Sequence, residues 1–327
     1  MIRANRRTWT QAAMAAAIAI HLPAAWAQPA SGVRRIIVPF SAGASTDVMA
    51  RLIAEDLAQR LNETVIVENK PGAGGNLAAE YVAKQPADGR TIFLGSTANL
   101  AVNKTLYKKL PYDPEVDFIP LTVAYLTRNL LIVPTQSPFK SVADVVAASK
   151  AKPGQLTYGS PGSGTAGHLI GVLFQQMTGT SLTHIPYKGQ NQVVADLMGG
   201  HIALSFETIG SAMPLLETGK IRALAITGEG RHPQLAQVGT FKENGVDQID
   251  TLRGWAMFVV AKGTPTAEVS RLHETLTASL TSAKVKRRLE ELGVETAPTS
   301  LQASRRMISD EVQRWGKLVQ ITGAQAD

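Results

Sequence analysis

Short apolar runs alternate with stretches of helical periodicity along most of this chain, which predicts an α/β architecture with mainly parallel sheets. Residues 35–40 (RIIVPF) predict a buried strand. A loop of small residues, 41–46, leads into a predicted helix over 47–61, in which Val48, Met49, Leu52, Ile53 and Leu57 recur at helical spacing. Residues 64–68 (TVIVE) predict the next strand, followed by glycine-rich PGAGGN, a helix over 77–84 and a strand over 91–95. A second block repeats the rhythm: helix 141–150, strand 156–159, loop 160–165, helix 166–177, then strands at 182–187, 201–206 and 222–227. Helices are predicted over 266–282, 283–292 and 301–323 to close the chain.

Two longer extended runs flank that second block: 124–133 (AYLTRNLLIV), with a single charge in its middle, and 252–261 (LRGWAMFVVA). They are expected to be crossovers between two lobes. Residues 28–126 plus 256–327 then form lobe one, and 127–255 lobe two. A chain that leaves a lobe and returns to it makes two bodies joined by a double hinge, which closes on a ligand by hinge motion.

The N-terminus changes the picture by setting a compartment. Arg3, Arg6 and Arg7 precede an apolar stretch at 12–20, and the segment ends in Ala25-Trp26-Ala27. That order predicts a signal peptide over 1–27, cleaved near Ala27, and a periplasmic mature protein. His21 and Pro23 interrupt the apolar stretch well short of the roughly 20 residues a membrane span needs. The Arg6-Arg7 pair leaves a folded-export route open beside the general one. Losing the three arginines of that segment lowers the formal charge from +7 to +4. The remaining basic residues form no run or stripe, so no nucleic-acid partner is expected. The chain contains no cysteine, so stability must come from an apolar core rather than from disulfides.

Candidate chemistry lies in two small-residue loops, each between a strand and a helix. The first comprises Phe40, Ser41, Ala42, Gly43, Ala44, Ser45, Thr46 and Asp47; the second runs from Gly159 through Ser160, Pro161, Gly162, Ser163, Gly164 and Thr165 to His168. A helix start offers unpaired N–H groups and a positive dipole end, glycine lets backbone approach a ligand, and hydroxyls add donors. Each loop alone is also an ordinary turn; one in each predicted lobe points to a shared anion site. His168 reads as a brace for its loop rather than a general base, Asp47 as a helix cap or a group that orients water, and Glu207 as either a cleft residue or a solvated strand end.

Residues 162–167 also spell G-x-G-x-x-G between strand and helix. The acidic residue that a dinucleotide site needs after the next strand is replaced by Ile185-Pro186-Tyr187-Lys188, which argues against a nicotinamide. No cofactor or metal is expected, since the histidines show no ligand spacing. A secreted serine hydrolase using Ser163 and His168 lacks an orienting acid.

Eight segments in order resemble the Bug-type receptors of tripartite tricarboxylate transporters: VPFSAGASTDVMAR, VENKPGAGGN, ADGRT, YKKLPYDPEVDF, LTYGSPGSGTAGHL, HIPYKG, DLMGG and GKIRALAIT. The resemblance implies a two-lobed periplasmic-binding-protein (Venus flytrap) fold. It also implies a non-enzymatic role: binding a small carboxylate such as a di- or tricarboxylate, an amino acid or an aromatic acid. The expected protein is monomeric and delivers its ligand to a membrane permease, a sensing role being the alternative. Carried onto this chain, it assigns ligand contacts to Ser41, Ala42, Gly43, Ser45, Thr46 and Asp47, and to Ser160, Gly162, Ser163, Gly164 and Thr165 with His168 in support. Ser96 and Asn99 become wall residues. Three departures from the family pattern stand out: Ala44 replaces a second glycine, Ala203 and Glu207 replace aspartates, and Val238-Gly239-Thr240 replaces V-P-T. Glu207 is the departure expected to touch specificity.

Overall fold

The computed structural model describes residues 32–249, 252–322 and 325–326; the predicted signal, 1–27, lies outside the described residues. Strand β1 (Arg34–Val38) fully encloses Ile36, Ile37 and Val38. Helix α1 (Ser45–Leu61) buries Met49, Ala50, Ile53, Ala54 and Leu57 on the face that the three- and four-residue spacing creates. β2 (Val65–Asn69), α2 (Asn76–Ala83) and β3 (Thr91–Ser96) follow, with β1 paired in parallel between β2 and β3. A wide helical turn at Ala98–Val102 and the short α3 (Asn103–Leu106) lead to β4 (Phe118–Thr127).

Arg128 alone separates β4 from β5 (Asn129–Pro134), yet the two strands belong to different sheets. The second sheet is then built by α4 (Val142–Ala151), β6 (Thr157–Ser160), α5 (Ala166–Thr178), β7 (Thr183–Pro186), α6 (Gln190–Met198), β8 (Leu204–Thr208), α7 (Ile209–Glu217) and β9 (Ile221–Ile226). β10 (Gly254–Ala261) returns the chain to the first sheet, which α8 (Thr266–Thr281), α9 (Ala283–Glu291), β11 (Glu295–Thr296) and α10 (Leu301–Thr322) complete.

The strand orders are β11-β4-β10-β3-β1-β2 and β7-β6-β8-β5-β9. Both sheets are mixed rather than mainly parallel. β10 runs antiparallel to β3 and β4, and β5 antiparallel to β8 and β9. The cause is the double passage: β4 carries the chain out of the first sheet, β10 carries it back, and two neighbours travelling in opposite senses pair antiparallel. Pro120 sits inside β4, where it has no N–H to give the ladder, and the β4–β10 register shifts beside it, between Phe258 and Val259. That proline hid the first half of β4 from the periodicity. Pro214 inside α7 did the same for that helix.

One apolar cluster extends from Ile37 and Phe93 on the first sheet to Leu131, Phe174 and Phe206 on the second, with Trp255 and Trp315 among its members. Helix α10 packs on both β4 and α5. The indole N–H groups of Trp255 and Trp315 both donate to Glu311 Oε2, at 2.8 Å each. Among the described residues no helix is long and apolar enough to cross a membrane.

Candidate ligand-binding site

Parallel strands deliver their carboxyl ends to one place, and there the two sheets enclose a cavity of about 90 Å³. Three helices start on it. The residues preceding α1, α5 and α7, namely Ala44, Thr165 and Thr208, all line the cavity, and none of the three caps its helix with a side chain. Their first-turn N–H groups and dipole ends therefore face a common volume, a favourable setting for an anion. Ala44 adopts an ordinary extended conformation, φ −69° and ψ 158°, so this position demands no glycine.

Of the residues expected to bind, Phe40, Ser45, Thr46, Ser96, Thr165 and Glu207 line the cavity. Ser41, Ala42, Gly43, Asp47, Asn99, Ser160, Gly162, Ser163, Gly164 and His168 do not, and most of them are engaged in shaping what does. The Asp47 carboxylate accepts from the Gly43 N–H at 2.9 Å, from Asn69 Nδ2 at 3.0 Å and from Arg51 Nε at 3.0 Å. Gly43 supplies the left-handed turn, at φ 78°, that aims its N–H at that carboxylate. Burial alone would raise the Asp47 pKa; the bonds from Arg51, Gly43 and Asn69 outweigh it and hold the group below its usual value. Ala42 presents its carbonyl to Asn191 Nδ2 at 3.2 Å, across to the second sheet's α6, and Ser41 lies against Gly189.

The second loop is organised from within. Ser160 Oγ donates to the Gly162 carbonyl and lies 2.7 Å from His184 Nε2, while Thr165 Oγ1 donates to the same Gly162 carbonyl at 2.7 Å. His168 Nδ1 accepts from the Gly164 N–H at 3.1 Å, and its ring stacks on His184 with centroids 4.2 Å apart. Burial pushes His168 down to about 4 and His184 down to about 3, so both rings are neutral at neutral pH. The Ser163 carbonyl backs onto Gly74 of the first sheet's PGAGG loop. Asn99, fully buried, braces the third segment: its Oδ1 accepts from the Ser96 N–H and its Nδ2 donates to Ser96 Oγ, both at 2.9 Å.

The sequence reading missed a belt of lining residues on the crossovers: Tyr125, Thr127, Asn129, Gly254, Trp255 and Ala256. The available signal was the Thr-Arg-Asn interruption inside the apolar run at 124–133, which marks where the strands stop being core. Thr97, Gln190 and Thr208 also line the cavity. A bridge spans the two sheets here, since Ser211 Oγ lies 3.1 Å from Ser45 Oγ and 3.0 Å from Thr208 Oγ1.

Among the described residues Glu207 is the one charged side chain that lines the cavity, and it is almost wholly buried. Its Oε1 accepts from Ser205 Oγ at 2.6 Å; its Oε2 has no partner among the described residues. Burial pushes its pKa up to about 7, against a smaller lowering by the Ser205 bond.

Gly167 closes the joint between α5 and β8. A Cβ there would stand 2.5 Å from the Phe206 carbonyl oxygen, a backbone atom that cannot swing aside. Gly167→Ala is expected to cost about 1–3 kcal/mol of stability by overpacking and to weaken ligand binding by displacing the α5 N-terminus. A denaturant melt checks the first and a titration the second; an unchanged midpoint removes the proposed clash.

A cavity between two mixed α/β sheets joined by antiparallel crossovers defines a solute-binding protein of the periplasmic-binding class. The chain belongs to the family described as "Tripartite tricarboxylate transporter family receptor", whose pattern matches residues 49–324. It is 33% identical to the protein BugT of Bordetella pertussis over 89% of each chain. Among solved structures, Rpa4515 of R. palustris with adipate superposes with a TM-score of 0.87 at 37% identity, covering 91% of this chain and 99% of that one. MatC (Rpa3494) from Rhodopseudomonas palustris with bound malate gives 0.83 at 27% identity, over 88% and 98%. The family is one of receptors rather than enzymes.

Proposed function

We propose that this protein captures a small carboxylate in the cavity between its sheets and hands it to the membrane permease of a tripartite transporter. The observation that carries the reading is the convergence of three helix N-termini, none capped by a side chain, on one cavity that no lysine or arginine among the described residues lines. Such a site holds a carboxylate by backbone N–H groups and hydroxyls from Ser45, Thr46, Ser96 and Thr165, each charge-assisted bond being worth roughly 1.5–3 kcal/mol. The adipate and malate of the two Rhodopseudomonas proteins support the ligand class. Export by the segment 1–27, cleaved near Ala27, puts the mature chain in the periplasm. Lobes 28–126 plus 256–327 and 127–255 close over the ligand, making and breaking the Ser45–Ser211 and Ala42–Asn191 contacts, and the closed form is what the permease reads.

The test is a thermal-shift panel on residues 28–327, first unfolded and refolded to strip copurified ligand. Carboxylates and their amides are compared at matched concentration. A ligand at about 100 times its Kd adds about 2.7 kcal/mol to the folded state, which raises the midpoint by at least about 2 °C in a chain of this size. The expected result is a shift with an acid and none with its amide. Equal shifts with acid and amide, or none with any acid, would overturn the carboxylate reading.

A further inference from the structure

Glu207 and Asn129 lie on paired strands, β8 and β5, with Asn129 opposite Thr208 and Leu130 opposite Glu207. Both line the cavity. Each retains a buried acceptor oxygen, Glu207 Oε2 and Asn129 Oδ1, with no partner among the described residues. The remaining polar atoms of both are spent on the protein: Glu207 Oε1 on Ser205 Oγ, and Asn129 Nδ2 on the Phe206 carbonyl at 3.4 Å. Unpaired buried acceptors are costly, about 1–3 kcal/mol each and more for a charged one. A ligand that satisfies them recovers that cost on binding, whereas one that opposes them with further acceptors adds to it.

The cavity thus combines donors from helix N-termini with buried open acceptors, and Glu207 is the one charged side chain among the described residues that line it. Among the described residues no cationic side chain lines the cavity to receive a second carboxylate. We propose that Glu207 selects a carboxylate that also carries an N–H donor, an ammonium above all, over a dicarboxylate of the same length. This rests on the carboxylate reading above and adds to it the identity of the second group. The ligand's N–H donates to Glu207 Oε2, so that charge is balanced within the cavity and this buried acceptor no longer stays open.

Length-matched pairs test it by calorimetric titration of the stripped mature protein: succinate against β-alanine, glutarate against γ-aminobutyrate, and each diacid against its monoamide. In the wild type, at least one amino or amide acid is expected to bind about tenfold or more tighter than its matched diacid. Glu207→Gln keeps the shape and the acceptor for Ser205 but removes the charge. It should weaken the ammonium ligand about tenfold or more and leave the monoamide within a few-fold, because only the former loses an ionic partner. Tighter binding of the diacids to the wild type, or an unchanged ammonium affinity in Glu207→Gln, would overturn the assignment while leaving the carboxylate site standing. Failure of all these acids to bind, with their diamides and amines binding equally, would instead remove the carboxylate site itself. A melt of Glu207→Gln confirms that the variant is folded before it is titrated.

Discussion

Asp47→Ala will lower carboxylate affinity by about tenfold or more although the residue does not line the cavity. The carboxylate is a knot between three pieces of backbone. It takes the Gly43 N–H of the first loop, the Asn69 amide at the end of β2 and the guanidinium of Arg51 one turn along α1. Asn69 in turn donates to the Phe40 carbonyl, so one buried side chain fixes both ends of the loop that leads into Ser45 and Thr46. The Arg51 part of this contributes little, because that side chain is half exposed and solvent screens it. The bonds to Gly43 and Asn69 matter more: their loss leaves an N–H and an amide without partners, at about 1 kcal/mol or more each. Stability should fall by about 2–3 kcal/mol, and affinity further, since the α1 N-terminus loses its aim. The Asp47 contribution is full above the ordinary carboxylate pKa and is lost as pH falls through the lower folded value, so the variant and the wild type should converge in acid. Calorimetric titration and urea melts across pH measure both; unchanged affinity in a destabilised Asp47→Ala would show that the first loop is not part of the binding apparatus.

Raising the pH through neutrality will destabilise the unliganded wild type relative to Glu207→Gln. Burial holds the Glu207 pKa at about 7, above the 4.5 of an exposed glutamate. A carboxyl whose folded pKa is raised contributes stability that is fully present below the unfolded value and is lost as pH rises through the folded one. The window is therefore about pH 4.5 to 7, and the amount at stake is up to about 3 kcal/mol. Tyr125 on the opposite wall is pushed up to about 12 and stays outside it. The His168–His184 pair, pushed down to about 4 and 3 from an ordinary 6.5, gains stability as pH rises to about 6.5 and so opposes Glu207. The Glu207 contribution is therefore read as a difference from Glu207→Gln. The thermal midpoint of the wild type minus that of Glu207→Gln should fall by several degrees between about pH 5 and pH 8. Parallel curves for the two proteins would place the titrating group elsewhere. Bound ammonium ligand should oppose the drop, since it favours the ionised form.

What the sequence made legible follows a physical line. Residues 35–40 and 47–61 announced their elements because β1 is buried on both faces and α1 on one, so composition and spacing carry the signal directly. The two βα loops were legible because small residues before a helix have few other uses. The cavity walls on the crossovers were not. Tyr125 and Trp255 read as core, and they are nearly as buried as core, but their neighbours Thr127, Asn129 and Gly254 turn the sheet ends into a polar lining. Only strand pairing across more than a hundred residues, such as Gly254 with Thr127, brings them together. Parallel character was over-read for a similar reason: strand direction depends on where the chain crosses, and periodicity does not record it. Asn99 and Asp47 were recognised as belonging near the site, and their bracing roles come from bonds that no spacing rule contains.

The Ser45–Ser211 contact, 3.1 Å across the two sheets, offers a practical handle. The chain contains no cysteine, so a thiol introduced at either serine is unique and takes a single environment-sensitive dye without protecting any other position. If the sheets part when the cavity empties, the dye moves from a packed seam into water, and its emission becomes a continuous readout of occupancy. The same molecule that is studied as a receptor then serves as a reagentless optical sensor for its own ligand, calibrated by the very panel used to identify it.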